Sequence, residues 1–243
     1  MNFNFRKQIL SLLLVAFSFN VYSTELQIRT ISAAPYGIYE NEEFSGIYYE
    51  ISNKIAKKSG YDFNNFVYPY ARIMKELKSG KADVSILFKY KELEEHVIYV
   101  EPLPAIKNVV LGLNKQNFKK ISDLKGLKIA YLRGAKFNEE IDNDTSIVKF
   151  KTPDFNQGVK MLKAGRVEAV IGPMDALLTA IYNNGLSMND LNEPLVVSER
   201  TPWVQISKKS EAKIDVDNFK QHIELILKGN DLDMLRDKYI PKN

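Results

Sequence analysis

The chain has 243 residues, 45% hydrophobic and 26% charged, which excludes a disordered or fibrous protein and provides for one large domain or two small ones. Its 34 basic and 30 acidic residues leave a formal charge of +4, with no run of like charges long enough to act as a nucleic-acid arm. Cysteine is absent and histidine occurs only at His96 and His222, which excludes disulfide scaffolds, thiolate nucleophiles and the usual zinc sites, so neither a metal nor a cofactor is expected.

The first segment reads as a targeting signal. Arg6 and Lys7 precede an apolar run over 9–19, shorter than the roughly 20 residues that span a bilayer, and Ser23 supplies a small residue for cleavage. Residues 1–23 are expected to be removed on export, with an uncleaved anchor as the alternative. No cysteine stands at the cleavage point to take a lipid, so a free periplasmic protein is expected.

Strand-like and helix-like runs then alternate. A strand over 26–31 precedes a helix whose apolar face is Ile47, Ile51 and Ile55, ended by Gly60. A second helix carries Ile73, Met74 and Leu77, stops at Gly80 and hands over to a strand over 84–87. A short strand over 128–131 is broken by Gly134. Helix 159–164, strand 169–171 and helix 176–181 follow, and two amphipathic helices, on Phe219, Ile223 and Ile226 and on Leu232, Leu235 and Tyr239, close the chain. The alternation implies an α/β protein with parallel strands covered by helices. His96 and His222 read as ordinary surface or packing residues.

One internal repeat stands out. Residues 74–86 parallel 159–171 in type: a helix ends on Gly80 or Gly165, a basic and a small apolar residue make the turn, and Asp83 or Glu168 opens a buried strand. Any helix-to-strand connection could look like this. The alternative is two lobes of similar plan with a cleft between them, where ligands of such proteins sit.

Several segments, in order, resemble the bacterial extracellular solute-binding proteins of family 3, the polar amino acid type that serves ABC importers. They are Ala34-Pro35-Tyr36, Phe44-Ser45-Gly46-Ile47-Tyr48-Tyr49-Glu50-Ile51, Leu77-Lys78-Ser79-Gly80-Lys81-Ala82-Asp83 and Val97-Ile98-Tyr99-Val100-Glu101-Pro102. Ile121-Ser122-Asp123-Leu124-Lys125-Gly126-Leu127-Lys128-Ile129, Leu162-Lys163-Ala164-Gly165-Arg166-Val167-Glu168 and Ile206-Ser207-Lys208-Lys209 continue the likeness, which covers nearly all of 24–243. It implies the type II periplasmic binding protein fold, two small mixed sheets joined by crossover hinge strands. One lobe would hold 24–105 plus 206–243 and the other 106–205.

The departures bear on the ligand. Amino-acid binders of the family keep a Thr-x-x-Arg whose Arg forks onto the ligand carboxylate; counting back from Tyr99 puts Tyr90 and Leu93 there. Gly134-Ala135-Lys136 stands where Gly-Thr or Gly-Ser is usual, and Pro173 where the amine-binding Asp is. A buried charged group without a partner costs several kcal/mol, so a standard α-amino acid is not expected. By the resemblance Arg72 follows Tyr68-Pro69-Tyr70 at a loop-to-helix junction where relatives carry Pro-x-x-Arg, and it is the expected principal contact to an anionic ligand group. Arg133 and Lys136 flank the Gly134 turn at an expected helix start, where anions are favoured. All three cations could equally be solvated helix-end charges. Tyr36, Tyr70, Phe88, Tyr90 and Trp203 are placed near the cleft as faces for a flat or cationic solute, or else are core. Asp175 is a substitute amine contact or a helix N-cap.

The implied function is a monomeric, non-catalytic binder of a small polar solute, delivering it to an ABC permease or a membrane signalling receptor, with no nucleic acid involved. No carboxylate pair has a spacing that demands catalysis. The alternative is a periplasmic enzyme on the same scaffold, like the cyclohexadienyl dehydratases.

Overall fold

The computed structural model describes residues 25–241, so the expected signal segment lies outside the described residues. The chain runs through β1 (Leu26–Ile31), a hairpin of β2 (Ile38–Glu40) and β3 (Glu43–Ser45), α1 (Ile47–Lys58), β4 (Phe63–Tyr68), α2 (Tyr70–Ser79), β5 (Val84–Phe88) and β6 (Val97–Pro102). It continues through β7 (Ile106–Leu111), β8 (Lys128–Leu132), α3 (Glu139–Asn143), β9 (Val148–Thr152), α4 (Phe155–Lys163), β10 (Ala169–Pro173) and α5 (Met174–Asn183). The last elements are β11 (Leu195–Arg200), β12 (Pro202–Ser207), α6 (Val216–Lys228) and α7 (Asp231–Tyr239). No helix among the described residues is long and apolar enough to cross a membrane.

Two five-stranded sheets form, in the orders β4-β1-β5-β12-β6 and β11-β7-β10-β8-β9. In the first, β1 is parallel to β4 and β5, while β12 is antiparallel to β5 and β6. In the second, β8 is parallel to β9 and β10, while β7 is antiparallel to β10 and β11. The parallel strands are those linked by helices; the antiparallel ones carry the chain between lobes. The chain crosses at residues 103–105 and again at Thr201. The expected boundary after residue 205 therefore moves: β12 hydrogen-bonds to β5 and β6, so residues 202–205 belong to the first lobe.

Local chemistry accounts for these elements. Ile47, Ile51 and Ile55 are all buried under α1, and Lys57 and Lys58 sit in its last turn, where they complement the helix dipole. In α2, Ile73, Met74 and Leu77 face the core, and Gly80 terminates it at φ 76°. The repeat is a repeat in space. The amides of Lys81 and Arg166 bond the carbonyls of Glu76 and Met161, both at 2.9 Å. Asp83 accepts from the amide of Gln27 at 2.8 Å, as Glu168 accepts from that of Lys128 at 2.7 Å. Each acid thereby pins the start of its strand to the start of the neighbouring parallel strand. The β2–β3 hairpin turns on Asn41 and Glu42, both at positive φ, and escaped sequence reading for want of a glycine there. β4 escaped it too, because Asn64 and Asn65 disfavour a strand and β4 is an edge.

One expected element is absent. Residues 134–136 form no helix start; α3 begins at Glu139 and has five residues, with the Asn138 side chain accepting from the Ile141 amide and Glu139 and Glu140 in its first turn. Any attraction for an anion at Arg133 and Lys136 comes from their side-chain charges rather than from helix amides.

Candidate ligand-binding site

The carboxyl ends of the parallel strands of both sheets converge on one cleft, where open α/β sheets place their ligands. It contains about 680 Å³ of empty space, including its open mouth. The first lobe contributes Ile31, Ala33, Tyr36, Tyr48, Tyr70, Phe88 and Tyr90; the second contributes Leu132, Arg133, Ala135, Lys136, Phe137, Phe155 and Pro173. Ile106 and Pro202, the first strand residues after the two crossings, complete the wall.

Each side chain reaches the cleft through its element. Tyr70 opens α2 directly after β4, and Phe155 opens α4 directly after β9. The Phe155 ring packs closely on β10 because Gly172 has no side chain: a Cβ there would come within 2.5 Å of the ring. Tyr36 and Tyr48 stack with centroids 4.6 Å apart, and Tyr70 and Tyr90 meet at 5.0 Å. Burial pushes the hydroxyls of Tyr36, Tyr48, Tyr70 and Tyr90 upward, so all four stay neutral at physiological pH. The Tyr36 hydroxyl is buried beside the Asp175 carboxylate without a well-aligned hydrogen-bond partner.

Six of the nine residues singled out from sequence line this cleft: Tyr36, Tyr70, Phe88, Tyr90, Arg133 and Lys136. The other three turn elsewhere. Arg72 is exposed on the outer side of α2, its Nε 2.8 Å from Glu76 Oε1 and its guanidinium 3.5 Å from the centre of the Tyr68 ring. Residues two apart on a helix do not share a face, so Tyr70 in the cleft puts Arg72 outside it. Trp203 follows Pro202 on β12, and strand alternation sends it to the opposite face. There Lys89 Nζ lies 3.7 Å from its ring centre and Tyr99 meets it edge-on at 6.0 Å. Asp175 is buried in the first turn of α5, but its Oδ1 accepts from Arg236 of α7 at 3.1 Å, an ion pair between the lobes. Burial pushes its carboxyl upward and Arg236 offsets only part of that. Of the three positions where amino-acid contacts were missed, Ala135 and Pro173 present apolar surface to the cleft, while Leu93 is fully buried in a core cluster with Ile73, Leu77 and Val97.

Sequence reading missed Arg200. At the end of β11 it donates to the Lys136 carbonyl at 2.9 Å and the Lys89 carbonyl at 3.0 Å, tying the second lobe to the first. Its guanidinium lies 4.5 Å from the Phe88 ring centre and 4.9 Å from that of Tyr90. No local pattern marks an arginine that binds two backbone carbonyls far away in the chain. Among the described residues no cluster of three or more His, Cys, Asp or Glu side chains is arranged to hold a metal.

The chain resembles known proteins in sequence and in fold. Residues 27–143 match the model of the bacterial extracellular solute-binding proteins, family 3. The probable amino-acid-binding protein YxeM of Bacillus subtilis is 27% identical over 172 residues, 68% of this chain and 65% of that protein. The chain thus spans just under two thirds of the length of the curated relatives it matches. An ancestral arginine-binding protein bound to arginine superposes with a TM-score of 0.73 at 21% identity, over 89% of this chain and 98% of that one. A histidine kinase sensor domain with similarity to periplasmic binding proteins does so with a TM-score of 0.74 at 18% identity, over 89% and 95%. At those identities the structural likeness speaks for the fold alone. The two-lobed fold, the cleft at the strand ends and a family model that matches just under half of the chain together make it similar to the bacterial extracellular solute-binding proteins, family 3.

Proposed function

We propose that the chain is an exported, monomeric binding protein that captures a small solute between its lobes in the periplasm and passes it to a membrane partner, the permease of an ABC importer. The solute is not a standard α-amino acid. The observation that carries this reading is a cleft built from both lobes and from the strand residues that follow both crossings, so that occupying it favours the lobes' approach. Alanine and proline surface at the positions expected to hold an amino-acid head group supports the exclusion.

Thermal unfolding against a panel of organic acids, amino acids, sugars, polyamines and nucleosides tests it. A true ligand at 100 times its Kd stabilises by about 2.7 kcal/mol, and Ala135→Trp, which fills the cleft, abolishes the shift. A panel without any shift, or a shift that survives Ala135→Trp, overturns the reading.

A further inference from the structure

The walls of the cleft and the charges at its mouth do not match. Apart from the four tyrosine hydroxyls, the polar side chains lining it are Arg133 and Lys136, both exposed, and neither makes an ion pair among the described residues. The Arg200 guanidinium adds a third positive charge at the same mouth. No carboxylate lines the cleft among the described residues. Around it, Asp175 is already paired with Arg236 behind Tyr36 and Tyr48, Asp142 accepts from the Tyr131 hydroxyl and the Phe137 amide, and Glu92 lies in an outer groove with Lys75, Lys78 and Lys209.

An ammonium group would find no anion here, and burying it unpaired costs several kcal/mol. Aromatic faces can substitute for a carboxylate in holding a cation. Phe88 and Tyr90, however, already stack on the Arg200 guanidinium, whose charge also repels a second cation. A carboxylate faces the reverse situation: Arg133 and Lys136 are available to it, and a guanidinium can take it as a two-pronged fork. The rest of such a ligand would lie against Phe137, Phe155, Leu132, Ile31 and Pro173, a surface that rewards apolar contact at about 25 cal/mol per Å².

Resting on the solute-binding reading above, we infer that the cleft selects an apolar monocarboxylate, aromatic or branched, that carries no ammonium group. Arg133 and Lys136 hold the carboxylate, and the aromatic and aliphatic walls hold the body. Arg200 excludes cations without touching the ligand.

Calorimetric titration of the full exported chain with matched probes tests this. 3-Phenylpropionate and 4-methylpentanoate are the carboxylates; L-phenylalanine and L-leucine add the ammonium; 3-phenylpropanamide removes the charge; 3-phenylpropylamine inverts it. At least one carboxylate is expected to bind ten times or more as tightly as its amino acid, with the amide and the amine weaker still. Arg133→Gln with Lys136→Gln should remove at least tenfold of that affinity, and Arg133→Lys should restore part, while the unliganded melting temperature stays put. An amino acid binding as tightly as its carboxylate, or an amide indistinguishable from it, overturns the inference. If a sugar or a polyamine shifts the melting temperature in a way abolished by Ala135→Trp, the inference fails and the solute-binding reading stands. If no solute of any class does so, both fail.

Discussion

Arg72 stands two positions after Tyr70 on one helix, and that spacing gives the two side chains different work. Tyr70 lines the cleft, while Arg72 shares the Glu76 carboxylate with Arg29, whose Nε donates to Oε2 at 2.6 Å from a buried position beneath Phe66 and Tyr68. Arg72→Ala is therefore expected to leave solute binding within a factor of about three of the native protein, which is under 1 kcal/mol; a loss of ten times or more by calorimetry returns Arg72 to the cleft. Glu76→Ala is different. It strands the buried Arg29 charge and should cost about 3 kcal/mol in urea unfolding, near the low end for a broken buried pair because the Arg72 arm is screened by solvent. Burial alone would raise the Glu76 carboxyl, but hydrogen bonds from Arg72 and Arg29 outweigh it and hold the group below the usual range. A depressed native value means a contribution that is present above the unfolded value near 4.3 and lost as pH falls through the native one. The stability gap between native protein and variant should therefore narrow on acidification, and a gap constant from neutral pH to pH 3 would contradict this.

At the scale of elements, the two copies of the helix-Gly-acid-strand connection share a geometry but differ in burial. Asp83 is fully buried and accepts from the Gln27 amide, from Ser210 Oγ, and from Lys213 Nζ at 3.1 Å, joining β1, β5 and the segment after β12. Glu168 is half-buried and accepts from the Lys128 amide. Removing a carboxylate that leaves buried donors unsatisfied costs more than removing one whose donor meets water. Asp83→Ala should lower stability by about 3 kcal/mol and Glu168→Ala by about 1 kcal/mol; equal losses in parallel denaturation curves would show that burial does not separate them. The device was legible because it is local: glycine at positive φ, a two-residue turn and an acid lie within a few residues of one another. β4 and the hairpin were not, since their strand character depends on partners distant in the chain.

At the scale of the molecule, side chains bridge the lobes outside the crossovers. Arg236 meets Asp175 on the side of the hairpin and α7, and Arg200 joins the Lys89 and Lys136 carbonyls at the cleft mouth. Arg200 supplies one charge-assisted hydrogen bond across the lobes, to the Lys89 carbonyl, and stacks on Phe88 and Tyr90 of the first lobe, so Arg200→Ala should let the lobes part in the absence of solute. Small-angle scattering should show a larger radius of gyration for the variant. Superimposable curves for variant and native protein would mean that Arg200 does not hold the lobes together.

The sequence by itself determined the α/β class, the main helices with the glycines that end them, the duplicated connection and, through resemblance, the likeness to family 3 and six residues that line the cleft. Those features rest on periodicity, glycine conformations and short-range spacing, which the chain carries wherever it is placed. The tertiary structure alone decided which way the remaining side chains turn. Arg72 and Trp203 stand next to residues that line the cleft, yet helix and strand geometry directs them away. Asp175 is claimed by an arginine 61 positions later, and Arg200 by carbonyls 64 and 111 positions earlier. The side chain a charge pairs with is set by long-range approach, and neighbours in sequence do not encode it.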